Sequence, residues 1–123
     1  MSDKQKNDMQ LEKAHFRKLF DAGRETMTAM GDSNRQLIIR LLIERCGEGG
    51  LRVGEIQKNT NISRATVSHH LKVLKETGVV KVRREGTKNY YYLDSQSTGM
   101  KNVMEFWKAA EKMMSFCPYH TES

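Results

Sequence analysis

The chain has 123 residues, 37% hydrophobic and 29% charged, with a single proline and a formal net charge of +6. That composition fits one helix-rich globular domain and excludes a disordered or fibrous chain, while two cysteines are too few for a disulfide scaffold. The longest apolar run, Leu37 to Ile43, is interrupted by Arg40 and far short of a bilayer span, and the polar start MSDKQKNDMQ has no signal-peptide core, so a cytoplasmic protein without a membrane partner is expected.

Residues 1–8 are polar and are expected to fray, leaving 9–117 as a single domain and 118–123 as a flexible tail. From Met9 to Met30, Leu11, Phe16, Leu19, Phe20, Met27 and Met30 recur at helical spacing, softly interrupted by Gly23, and predict one long or slightly bent helix. Asp32 and Ser33 then supply capping side chains for a second helix through Leu37, Ile38, Leu41 and Leu42. Apolar over much of its girth, that helix is expected at the buried centre, and glycines 47, 49 and 50 end it. Leu51 to Val53 is at most a very short strand, and VGEIQKNT is a short third helix.

The turn NIS lets Ile62 plug the core and Ser63 cap a fourth helix, which runs to Thr77 and stops at Gly78. VVKVRREGTKNYYYLD alternates in the strand period around a Gly-containing turn and predicts a β-hairpin. After DSQSTG, the residues Met100, Val103, Met104, Trp107, Ala110 and Met114 mark a final amphipathic helix, widened by Phe106 and Met113. The fold class is therefore mainly α with a small β-hairpin: a winged helix-turn-helix, with four helices, the wing and a fifth helix in chain order.

Charge follows this plan. Residues 1–62 carry eleven Lys/Arg against nine Asp/Glu, residues 63–93 seven against two, and residues 94–123 three against four. A middle segment this basic points to an anionic partner, with double-stranded DNA first, because a helix fits its major groove and a basic hairpin reaches the adjacent backbone or minor groove.

On a helical wheel, Val67, Leu71 and Leu74 form the core side of the fourth helix. Ala65, Ser68, His69, Lys72 and Glu76 lie opposite, with Arg64 and Thr66 flanking near the N-terminal end, where base contacts concentrate. Arg64 offers a fork of hydrogen bonds to guanine, Ser68 and His69 donate or accept at base edges or phosphates, and the Ala65 methyl suits thymine. His69 has a bland alternative as a solvated surface histidine, and His70, nearer the core side, is read as a packing or hydrogen-bonding residue. In the hairpin, Lys81, Arg83, Arg84 and Lys88 suit phosphates, with Thr87 and Tyr90 as neutral donors. Tyr91 and Leu93 share a side and suit the core equally well. No nucleophile motif, carboxylate pair or phosphate loop supports an enzyme. A winged helix that binds only protein would need an apolar or acidic face on the fourth helix, which this one lacks.

GDSNRQLIIRLLIE and LRVGEIQKNTNISRATVSHHLKVLKETGVVKVRREGTKNYYYL together resemble the ArsR/SmtB family of bacterial repressors, with TVSHHLKVLKETGVV as the specific part. The resemblance implies a homodimer that binds an imperfect palindromic operator and is released by a signal. It implies that Arg64, Ala65, Ser68 and His69 contact DNA, that Arg84, Gly86 and Lys88 lie in the wing, and that the first and last helices dimerise. Leu11, Phe16, Leu19 and Phe20 with Met100, Val103, Met104, Trp107 and Met114 suit that interface, although ordinary core is the alternative reading of both stripes.

Family metal sensors often carry Cys-x-Cys at the start of the third helix, where this chain has Arg52 and Gly54, and others use Asp and His along the last helix, where residues 97–116 hold no histidine. No metal or other cofactor is expected. The candidate ligands that remain are Cys117, His120, His15 and Cys46; CPYH places Cys117 and His120 close together, where His15 of a partner's first helix would complete a site, against the alternative that a lone Cys-x-x-His in a tail is no site. Some relatives sense oxidants or reactive sulfur with one cysteine on each of the second and fifth helices. Cys46 and Cys117 sit further along both helices than those pairs, and form a candidate thiol switch, with buried inert thiols as the alternative.

Overall fold

The computed structural model describes residues 2–118, which form α1 (Asp3–Ala29), α2 (Ser33–Glu44), a 3-10 turn (Cys46–Glu48), α3 (Val53–Thr60), α4 (Arg64–Glu76), β1 (Val80–Glu85), β2 (Lys88–Leu93) and α5 (Thr98–Met114). The first helix starts at Asp3, so most of the segment expected to fray is helical. The reason is local: the Gln5 N–H donates to Ser2 Oγ at 3.2 Å and the Ser2 N–H to Gln5 Oε1 at 2.8 Å, a capping box that satisfies two end donors.

Gly23 does not interrupt α1. It is a point where α1 packs closely on α5, since a Cβ there would lie 3.4 Å from the Asn102 and Val103 backbone. The two helices run antiparallel, with the Phe106 ring 5.3 Å from that of Phe16 and 5.5 Å from that of Phe20, and Lys112 paired with Glu12 at 2.6 Å.

Ile38, Leu42, Leu51, Ile56, Val67, Leu71, Leu74, Val79 and Val80 build the core between α2, α3, α4 and the root of the hairpin. Fully burying an aliphatic side chain of this size stabilises the fold by roughly 1.5–3 kcal/mol. The expectation that α2 would be the buried centre needs correction. Ile38 and Leu42 are buried, but Leu37 and Ile43 are exposed, because α3, α4 and β2 cover only one side of it.

Residues 51–53 do not form a strand of their own. Leu51 makes a single bridge, trading two backbone hydrogen bonds with Tyr91 at 2.9 and 2.8 Å, and Val53 already begins α3 because Glu55 Oε1 accepts the Arg52 N–H at 3.1 Å. Asn61, at φ 56°, ends α3 in the left-handed region, Ile62 packs on the core, and Ser63 Oγ accepts the Thr66 N–H to open α4. The hairpin pairs Val80 with Leu93, Val82 with Tyr91 and Arg83 with Tyr90, turning at Gly86 and Thr87.

Candidate nucleic-acid interface

α4 presents the face its wheel requires. Val67, His70, Leu71 and Leu74 are buried, while Arg64, Ala65, Ser68, His69, Lys72 and Glu76 are exposed and Thr66 is half-buried, its hydroxyl accepting from Ser63 Oγ at 2.7 Å. Ser63 therefore works as the cap of α4, at the N-terminal end of that exposed face.

His69 and His70 part company here. His70 retains only 7% of its exposure, and the Arg35 guanidinium, with Nη1 3.3 Å from Nδ1, can only donate to it. The imidazole is thus neutral, with its proton on Nε2, 3.9 Å from Asp32 Oδ1. Burial lowers its pKa below the usual histidine value; Asp32 opposes this, and Arg35 and His69 reinforce it. Arg35 also donates through Nε to the Ala29 carbonyl at 2.6 Å, so one guanidinium fastens α4 to the end of α1 and the start of α2.

The wing residues divide in two. Arg83 is turned back on the body: Nη2 donates to the Gly49 carbonyl at 3.0 Å, Nη1 pairs with Glu85 at 2.9 Å, and the guanidinium lies 4.5 Å from the Tyr90 ring centre. Arg83 and Tyr90 support the wing from behind. Lys81 is likewise held by Asp94 at 3.0 Å, leaving Arg84, Thr87 and Lys88 exposed around Gly86. Arg84 curls onto the Gly86 carbonyl at 3.1 Å but has no carboxylate partner among the described residues.

Between α3, the start of α4 and the wing lies a polar cleft of about 460 Å³, on whose walls stand Arg52, Lys58, Arg64, Thr87 and Asn89. The charge division at residue 63 hid Arg52 and Lys58 from the sequence reading. The turn at Asn61, which folds α3 beside α4, brings them alongside Arg64.

Residues 32–82 match the model of the bacterial regulatory protein, arsR family. An HTH-type transcriptional regulator of Mycobacterium tuberculosis is 38% identical over 86 residues, covering 67% of this chain and 75% of that one. This chain belongs to the ArsR family.

Among other relatives, the transcriptional repressor SdpR of Bacillus subtilis is 36% identical over 67 residues, covering 54% of this chain and 70% of that repressor. A solved homodimeric winged helix-turn-helix DNA-binding domain from Mycobacterium bovis superposes with a TM-score of 0.55 at 26% identity, covering 87% of this chain and 92% of that one. The chain is therefore a transcriptional regulator with the ArsR winged helix-turn-helix fold rather than an enzyme.

The rest of this ArsR-family chain bears on dimerisation and signal. Leu11, Phe20, Met104, Trp107 and Met114 are exposed, and Phe16, Leu19 and Met100 half-buried, on the paired α1 and α5. Val103 departs from the interface expectation, because it is buried against Gly23 within the protomer. Cys46 and Cys117 are both exposed free thiols, which corrects the alternative of buried, inert sulfur. Cys46 lines a cavity of about 250 Å³ at the root of the wing, floored by Leu42, Leu51 and Tyr91. No group of three metal-ligating side chains is found among the described residues; His120 of the CPYH arrangement lies outside them. No helix of the described residues is long and apolar enough to cross a membrane.

Proposed function

We propose that this ArsR-family regulator is a cytoplasmic, homodimeric repressor that binds an imperfect palindromic operator in double-stranded DNA and is released by a signal. Two α4 helices enter successive major grooves, with Ala65, Ser68 and His69 facing base edges and Thr66 and Lys72 flanking them. Arg84, Gly86, Thr87 and Lys88 lie along neighbouring backbone, and the apolar faces of α1 and α5 join the two protomers. The observation that carries this reading is the exposed hydroxyl, imidazole and cationic face of α4, on the same molecule as a wing whose Arg84 and Lys88 have no carboxylate partner among the described residues.

The test is fluorescence anisotropy of the reduced protein with labelled duplex from upstream of its own coding region, against a scrambled duplex of equal length. Preference of about a thousandfold or more supports operator binding. Equal, salt-sensitive affinity for both duplexes contradicts it.

The exposure of both thiols favours a second reading, in which oxidation of Cys46 and Cys117 is the releasing signal. Operator affinity that falls on treatment with diamide in the wild type, but not in Cys46→Ser, supports it. Equal affinity before and after oxidation removes it.

A further inference from the structure

The cleft between α3, α4 and the wing stands between two elements that would occupy different grooves of one duplex. Any duplex that admits α4 to its major groove and the wing to the adjacent minor groove or its edge must carry the strand dividing those grooves across the surface between them. Resting on the DNA-binding reading, we propose that this cleft holds the phosphodiester backbone of that strand through Arg52, Lys58 and Arg64, with Thr87 and Asn89 as neutral donors. Arg64 is then a backbone contact rather than a guanine reader.

Three observations support the assignment. Arg52, Lys58 and Arg64 are exposed on one cleft, and none of them makes an ion pair among the described residues, so their charge there is not neutralised from within the protein. The one carboxylate on the cleft wall, Glu55, is engaged elsewhere: Oε1 accepts the Arg52 N–H at 3.1 Å and Oε2 lies 3.7 Å from Arg45 Nη2. Arg64 also lies against α3, its Nη1 3.9 Å from the place a Cβ on Gly54 would take. A guanidinium held there faces the cleft, where a passing phosphate presents oxygens to its donors.

The experiment measures affinity for operator and scrambled duplexes across a range of salt, using wild type, the double variant Arg52→Ala/Lys58→Ala, Arg64→Ala, Arg64→Lys, and Lys101→Ala on α5 as a control. Arg64→Ala is expected to weaken both duplexes by the same factor, about ten- to hundredfold, the size of one charge-assisted hydrogen bond, and the double variant by at least as much. The slope of log affinity against log salt should fall by about 0.9 for each phosphate that the variant no longer neutralises. Arg64→Lys should keep most of the affinity and the slope, because a phosphate also accepts a lysine as a point charge and the neutralised charge is retained. Wild-type binding with unchanged slopes in the cleft variants overturns the proposal alone. Selective loss of the operator in both Arg64→Ala and Arg64→Lys returns Arg64 to base reading and also overturns it. Saturation by low-millimolar inorganic phosphate, with cleft variants that bind DNA normally, assigns the site to a free anion instead. Failure of the wild type to bind either duplex removes the DNA-binding reading and this proposal with it.

Discussion

Arg35 Nη1 meets His70 Nδ1 at 3.3 Å, tying the recognition helix to the junction of the first two helices. The contact requires the neutral imidazole, since a protonated ring would set an N–H against the guanidinium. With its folded pKa lowered chiefly by burial, His70 gives up stability as it protonates. That stability is fully present above the unfolded histidine value of about 6.5 and is lost as pH falls through the lower folded value. Melting temperature should therefore be flat above neutrality and fall in mild acid, and His70→Gln should flatten that fall. Asp32 titrates in a separate window: its pKa is lowered, first by the Arg35 N–H, so its contribution is lost only below about pH 4. Identical wild-type and His70→Gln profiles between pH 7 and 5 would contradict this account.

On the exposed face of α4, the Ser68 and His69 side chains make no hydrogen bond among the described residues, although the His69 ring lies 5.7 Å from that of His70, and this suits side chains that meet base edges. Ser68→Ala and His69→Ala should each lower the preference for operator over scrambled duplex by about 1–3 kcal/mol, with little change in salt dependence. Lys88→Ala should instead weaken both duplexes alike and reduce the salt slope by about 0.9. Competition anisotropy at several salt concentrations separates the two patterns. If all three variants lose affinity uniformly, base reading does not reside on this face.

The elements were legible in the sequence because each rests on short-range chemistry: Ser63 capping α4, Gly78 after its end, and alternation around Gly86 and Thr87. Contacts distant in the chain were less legible. Nothing near Arg83 announces that it reaches the Gly49 carbonyl, and no local pattern pairs Arg35 with His70. The fully amphipathic look of α5 also concealed that Val103 closes on Gly23 while Met104 and Trp107 face outward. Helical spacing shows which residues share a stripe; which half of a wide stripe meets the protomer's own chain depends on the crossing of α1 and α5.

Gly99 is where three helices converge. A Cβ there would fall 2.8 Å from Thr26 Oγ1 and closer still to the Thr77 carbonyl, the same oxygen that accepts the Thr26 hydroxyl at 2.7 Å. Backbone on one side and a committed hydroxyl on the other cannot yield cheaply. Gly99→Ala should destabilise the fold by about 1–3 kcal/mol, the usual range for overpacking, whereas Gly47→Ala, with open space around it, should stay within about 0.5 kcal/mol of wild type. Urea unfolding followed by circular dichroism, with unchanged slopes, gives both values; equal midpoints would show that α5 shifts to accommodate the methyl.

Trp107 is 57% exposed beside Phe106, whose ring packs inward on Phe16 and Phe20. Replacing the tryptophan should therefore spare the protomer while removing apolar surface that water otherwise covers. With Leu11, Met104 and Met114 also exposed on the paired α1 and α5, this face is larger than scattered surface hydrophobics require. Trp107→Glu should sediment as a single chain at concentrations where wild type is dimeric, with an unchanged circular dichroism spectrum. Because the proposed operator engages two heads at once, its affinity should fall by about a hundredfold or more, the scale of lost bivalency. A variant that still sediments as a dimer would place the interface elsewhere, and a monomeric variant with wild-type operator affinity would show that one head is sufficient for recognition.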